Sequence, residues 1–224
     1  MQGKRLKTGV LISGSGTNLQ ALIDACTAPD FPAEIVLVIS NRADAGGLER
    51  AKRAGIPTRI IPHKEYSSRE AFDAAVDSAL GTAGVEFVCL AGFMRLLTPG
   101  FVKQWHDRLI NVHPSLLPAF KGIDAVEQAL AAGVRHTGCT VHFVRPEMDT
   151  GPTLLQAEVP VEAGDTSESL HDRIRQAEHR CYPEALRLIA AGRVTVSGEI
   201  VEISSAAVSG ASDPCTQLRS MPSP

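Results

Sequence analysis

The chain has 224 residues, 44% of them hydrophobic, with mean hydropathy near zero and a net charge of −3. That is enough for one sizeable α/β domain, and too acidic a balance, without any long Lys/Arg run, for a phosphate-backbone partner. Aromatic content of 4% also excludes an extended base-stacking platform.

The basic start, Met1 to Lys7, leads straight into a strand-like run. It carries no apolar signal region, and no stretch of about twenty apolar residues follows, so a cytoplasmic chain with no membrane partner is expected. The first strand is expected at Thr8–Ser13, then a glycine-rich turn and a helix over Thr17–Cys26. A second strand at Ile35–Ser40 precedes a helix over Gly46–Ala54. Thr58–Ile61 is the third strand, Arg69–Leu80 a helix, Val85–Ala91 the fourth strand and Leu109–Val112 the fifth. Strands apolar throughout, alternating with helices, belong to a parallel sheet covered on both faces. Thr137–Val144 and Thr153–Val161 are joined by a loop too short for a crossover helix, so they should extend the sheet antiparallel. Ser167–Ala191 is a long helix with Ser167 as candidate cap, and Pro183 predicts a kink or break in it. The expected fold is α/β, a Rossmann-like doubly wound and mostly parallel sheet with antiparallel strands in the C-terminal half. It forms one domain over 1–203, with a phosphate-binding half at about 7–105 and a second half at about 106–203. The Ser-, Ala- and Pro-rich segment 204–224 reads as a disordered tail.

The five cysteines, Cys26, Cys89, Cys139, Cys181 and Cys215, are widely spaced and form no C-x-x-C pair. They read as reduced thiols filling the core. The histidines show neither H-x-x-x-H spacing nor clustering with cysteine, so no metal is expected. No G-x-S-x-G elbow surrounds any serine, which disfavours a serine hydrolase.

Ser13-Gly14-Ser15-Gly16-Thr17-Asn18 lies between the first strand and first helix, where main-chain N–H groups and the helix dipole favour an anion. The dinucleotide fingerprint requires a third glycine where Leu19 stands, and the second strand ends in Ser40-Asn41 rather than a carboxylate. A monophosphorylated metabolite fits better, although a glycine turn that merely reverses the chain has the same signature. Asn111 and His113 fall at the carboxyl end of the fifth strand, two apart and so on one side. Pro114 and Pro118 bracket the loop that follows and would stiffen it. An amide donor beside an imidazole suits carbonyl chemistry, stabilising an oxyanion and relaying a proton. Asp149 reads by itself as a turn residue. Were it near His113, it would favour the charged imidazole. His142, inside its strand, reads as a structural or supporting group.

In order and spacing, SGSGTNLQ, SNRADAGGLERA, SREAFD, LAGFMRLL, NVHPSLLP, TGCTVHFV and MDTGP resemble the phosphoribosylglycinamide formyltransferases, from about Thr8 to Ala191. The resemblance implies transfer of a formyl group from 10-formyltetrahydrofolate, as co-substrate, to the amine of glycinamide ribonucleotide in purine synthesis. It implies a catalytic trio of Asn111, His113 and Asp149. It places the ribonucleotide on Gly16, Thr17, Asn18, Leu19 and Gln20 with Glu178, and the folate against Arg69, Met94, Arg95, Leu96, Leu97 and Asn111. Partners would be small molecules only, with a monomer or homodimer expected. The stretch Ala119–Asp124 lacks histidines that some members carry and is expected to have no catalytic role. Thr150 stands where many relatives have a small residue. A formyltetrahydrofolate deformylase, expected to carry an N-terminal regulatory domain, and a catalytically silent sugar-phosphate-binding module are the alternatives.

Overall fold

The computed structural model describes residues 4–204. The expected tail therefore lies, except for Ser204, outside the described residues. Strands β1 (Leu6–Ile12), β2 (Ala33–Ser40), β3 (Thr58–Ile60), β4 (Phe87–Leu90) and β5 (Leu109–His113) pair parallel, while β6 (His136–Phe143) and β7 (Thr153–Pro160) add antiparallel. The sheet order is β3-β2-β1-β4-β5-β6-β7. The order reverses at β1, with β2 on one side and β4 on the other, so a crevice opens at their carboxyl ends.

Helices α1 (Thr17–Cys26), α2 (Gly46–Arg53), α3 (Arg69–Thr82), α4 (Pro99–Gln104), α5 (Ala125–Ala131) and α6 (Ser167–Ala190) connect and cover the strands. Two apolar clusters follow. One joins α1, α2 and α6 to strands of both halves, through Leu19, Leu22, Ile110, Val141, Ile174 and Tyr182. The other sets α3 and α4 against β1, β2, β4 and β5, through Leu11, Phe72, Val76, Phe101 and Trp105. Both faces are thus buried, which is why β4 is apolar at every position. The first cluster spans both the glycine-loop half and the later strands.

Three details depart from expectation. Pro183 lies inside α6 without breaking it: the helix runs 24 residues, and Leu170, Ile174, Cys181, Tyr182, Ala185 and Leu186 are buried along it on either side of the proline. That burial outweighs the one main-chain bond which proline removes. The cap is Thr166, not Ser167, with Ser169 completing a reciprocal capping box. The short helices α4 and α5, a 3-10 turn at His63–Glu65 and a hairpin of β8 (Val194–Ser197) with β9 (Ile200–Ile203) also appear. The four described cysteines are free and buried. Among the described residues no helix is long and apolar enough to cross a membrane.

Candidate active site

β1 ends at Ile12, and the chain enters α1 through the glycine loop. Gly16 is the N-cap of α1 with φ of 72°, and a Cβ there would lie 2.5 Å from the Gly47 Cα. Only glycine satisfies both the left-handed backbone and that contact with the start of α2. Gly14 differs: its φ is outside the left-handed region, and a Cβ would meet nothing within 4 Å. Nothing in the protein requires glycine at 14. It lines a cavity of about 430 Å³ whose walls include Ser13–Asn18, Asn41, Arg42, His63, Gly92, Met94 and Arg95. Two guanidinium groups and an imidazole line it, and no carboxylate does.

A chain of hydrogen bonds forms one side. The Met94 N–H donates to Ser13 Oγ at 2.8 Å, and the Ser13 hydroxyl donates to Asn41 Oδ1 at 2.6 Å. Asn41 Nδ2 then faces His63 Nδ1 at 3.2 Å. The Met94 N–H can only donate, and His63 Nδ1 also lies 3.4 Å from Asn41 O, so its role in the chain follows the ring tautomer.

On the far side of the loop, Asn18 Nδ2 donates to Glu178 Oε2 at 2.8 Å, joining α1 to α6. Glu178 is buried, and its pKa is pushed up to about 7, chiefly by desolvation, against the pull of the Asn18 bond and the Arg175 charge. One turn on, the buried Tyr182 hydroxyl donates to Leu90 O (2.9 Å) and lies 3.2 Å from Ile110 O, pinning α6 to the ends of β4 and β5. Arg50 and His179, with Thr17, Gln20 and Asp24, line a second hollow beside α1. The His179 Nε2 is buried there without a partner. Burial, with Arg175 and Arg50 nearby, lowers the His179 pKa.

The parallel register sets Asn111 beside Leu90, just before the cavity wall at Ala91-Gly92, and the antiparallel register sets it opposite His142. His113 and Asp149 meet, and His142 links Asn111 to them. His113 Nδ1 lies 3.5 Å from Asp149 Oδ2, and both side chains are nearly buried. Asn111 Nδ2 is 3.4 Å from His142 Nε2, which in turn lies 3.7 Å from Asp149 Oδ1. Burial lowers the His142 pKa, favouring the neutral ring. Its Nδ1 faces Phe143 O at 3.0 Å, so that nitrogen carries the proton and Nε2 accepts from Asn111. One Asn111 amide proton is thereby used, and one is left.

Asp149 reaches this position because its turn is left-handed, φ 54°, and is followed by Gly151, where a Cβ would fall 1.8 Å from Phe143 O. The loop after His113 is braced by Thr140 as well as by prolines. Thr140 Oγ1 donates to Ser115 O at 2.7 Å and accepts from Leu117 N at 3.0 Å, and Gln156 bonds Leu117 O at 2.9 Å. The stretch 119–124 touches both partners of the pair: His113 Nε2 donates to Phe120 O at 2.8 Å, and Gly122 N donates to Asp149 Oδ2 at 2.8 Å. Phe120 and Asp124 are left-handed, φ 54° and 58°, which costs on the order of 1–3 kcal/mol each. No sequence signal marks these as main-chain contacts.

Arg69 is exposed, and its Nη2 bonds Leu96 O at 2.7 Å. Leu19 and Leu97 bury their side chains, so only their main chains can meet a ligand. Met94, Leu96, Ile123 and Met148 are four of the six large exposed apolar side chains among the described residues, all on loops around this end of the sheet. Such a rim fits a flat, largely apolar ligand. Among the described residues no group of three or more His, Cys, Asp or Glu is placed to hold a metal ion.

The formyl transferase family model matches residues 6–186. The chain is 46% identical to the phosphoribosylglycinamide formyltransferase of Escherichia coli, over 83% of this chain and 87% of that protein. It is 56% identical to the trifunctional purine biosynthetic protein adenosine-3 of Gallus gallus, over 88% of this chain. It spans only about a fifth of that protein's length (20%). The crystal structure of glycinamide ribonucleotide transformylase 1 from Symbiobacterium toebii superposes with a TM-score of 0.88 at 53% identity, covering 90% of this chain and 95% of that one. The chain therefore belongs to the formyl transferase family, among the phosphoribosylglycinamide formyltransferases.

Proposed function

We propose that this chain transfers the formyl group of 10-formyltetrahydrofolate to the amine of glycinamide ribonucleotide, as in the de novo purine route. The observation that carries the reading is the meeting of His113 and Asp149, with Asn111 linked to them by His142, at a strand end beside a carboxylate-free cavity. Gly14 supports the phosphate's place: a glycine that neither conformation nor packing demands leaves room for a ligand against the main chain. The phosphate would sit on the N–H groups of Gly16 to Gln20. Arg50 lines the next hollow and brings one more positive charge to that side, beside Asp24. Glu178, when ionised, would meet the glycinamide portion. The folate would lie along Met94–Leu97, with the exposed Met94 and Leu96 covering its ring system and Arg69 and Arg95 at the margin.

In the reaction the amine nitrogen attacks the formyl carbon, and the carbonyl electrons move to oxygen. The free Asn111 amide proton and the His113 imidazolium stabilise this oxyanion. The C–N bond to the folate nitrogen then breaks, the oxyanion reforms a carbonyl, and the proton lost by the amine ends on the folate nitrogen. Asp149 pairs with the His113 ring through its Nδ1 edge. The Nε2 proton points at Phe120 O, so presenting it to substrate requires that bond to open. Holding both reactants in line supplies up to about 7–11 kcal/mol of the barrier reduction. The chain's partners would be these small molecules, and its compartment the cytoplasm.

The test follows folate absorbance on mixing 10-formyltetrahydrofolate with the chain, with and without glycinamide ribonucleotide. Formyl loss only when the amine is present supports transfer. Formyl loss without it means hydrolysis, and no loss in either case removes the proposed activity.

A further inference from the structure

SREAFD contains an acid that the proposed reaction does not use. In α3, Arg69, Phe72 and Asp73 stand at i, i+3 and i+4 and so share one face, with Ser68 capping the helix just before them. That face meets the loop 93–98 at each step. Arg69 Nη2 donates to Leu96 O at 2.7 Å and reaches Leu97 O at 3.4 Å. Phe72 stacks on Phe93 with ring centres 6.4 Å apart, and the Arg95 guanidinium lies 5.8 Å from the Phe72 ring centre. Asp73 Oδ2 accepts from the Thr98 N–H at 2.6 Å. Thr98 then caps α4, its hydroxyl accepting from Phe101 N at 3.3 Å.

Asp73 is 4% exposed, and its Oδ1 is buried with no partner. Its neighbours on the buried face of α3 are Phe72, Val76, Ala79 and Leu80. An apolar residue would fill the position without the unpaired Oδ1, whose burial costs roughly 1–3 kcal/mol, but it would leave the Thr98 N–H without its acceptor. The bond to Thr98 is what the carboxylate adds. It fixes the far end of the loop, while the Met94–Ser13 bond fixes the near end and Arg69 the middle.

We infer that Asp73 is a positioning residue for the folate side of the reaction: by holding Thr98 it keeps the Met94–Leu97 segment in place to receive the co-substrate. This rests on the reading that Met94–Leu97 borders the folate. Asp73 lines neither cavity, so its removal acts through the loop.

The experiment compares Asp73→Ala and Asp73→Asn with the unsubstituted chain by steady-state kinetics in both substrates, and by hydrogen exchange of residues 93–98 without ligand. Asp73→Ala should raise KM for 10-formyltetrahydrofolate about ten-fold, as expected for one lost charge-assisted bond, with kcat and the ribonucleotide KM within about two-fold. Asp73→Asn keeps an acceptor for the Thr98 N–H and should restore the folate KM to within about two-fold. Exchange in 93–98 should quicken in Asp73→Ala alone. If Asp73→Ala does not fold, Asp73→Leu, which keeps the volume without the acceptor, takes its place. The inference is overturned if both KM values rise together, if Asp73→Asn is as impaired as Asp73→Ala, or if exchange is unchanged. An unsubstituted chain that turns over neither substrate would instead remove the functional reading, with the exchange result still deciding whether Asp73 holds the loop.

Discussion

At the glycine-loop end of the cleft, the groups proposed to meet a ligand are main-chain N–H donors, on a loop fixed by the close approach of Gly16 to Gly47. At the Asn111 end they are side chains, held by His142, Phe120 O and Gly122 N from a strand and a left-handed loop. In the proposed function the first arrangement would recognise a static charge. The second would place donors where charge develops, with one of them, the His113 Nε2 proton, held on the Phe120 carbonyl. Binding and chemistry should therefore respond to different substitutions.

The largest separation is expected at the chemical end. His113→Asn should lower kcat by about 10³-fold while leaving ribonucleotide affinity within a few-fold. Asn111→Ala should cost about 10²–10³-fold in kcat, the range for losing one oxyanion donor. If either variant instead lost affinity and kept kcat, the division between the two ends would fail.

At the other end, the two glycines part company. Gly14→Ala should weaken binding of the ribonucleotide ten-fold or more in a calorimetric titration while leaving the urea midpoint nearly unchanged, because a Cβ there meets no protein atom. Gly16→Ala should lower the midpoint as well, through the left-handed backbone and the Gly47 contact, by about 1 kcal/mol or more. Equal loss of stability in both variants would mean that Gly14 serves the fold and not a ligand.

A pH-dependent effect concerns Glu178. Its folded pKa of about 7 stands above the ordinary carboxylate value of 4.5, so the folded state holds the extra proton between these values. Stability from this group is present at low pH and falls as pH rises from about 4.5 to about 7. Glu178→Gln, which cannot ionise, should therefore be more stable than the unsubstituted chain at pH 8, by at most on the order of 3 kcal/mol. The two should converge near pH 4.5. Parallel urea midpoints across that range would contradict the buried, proton-retaining carboxyl.

The same contrast explains what the sequence makes legible. Apolar runs such as those of β2 and β4 announce buried parallel strands, and the Gly-rich turn announces a tight strand-to-helix connection, because each rests on local backbone rules. The partial sheet reversal is readable too, since the eight residues 145–152, with Pro146 and Gly151-Pro152 among them, cannot contain a crossover helix. α4 is hidden by its brevity: six residues carry no helical period, and only Thr98-Pro99 marks the start. The bonds of Phe120 and Gly122 to His113 and Asp149 are main-chain contacts, for which residue type carries little information. Asp149 itself depends on a left-handed turn and on Gly151 approaching Phe143 O, a tertiary fact that its own neighbours in sequence do not contain. Pro183 shows the converse, a break signalled locally but not made, since burial runs along α6 on both sides of it.

The most direct test of the division between binding and chemistry is a single-turnover experiment on His113→Asn, with both substrates saturating and their dissociation constants measured separately. The account predicts unaltered binding with formyl transfer slowed about 10³-fold. Transfer at the unsubstituted rate would contradict it.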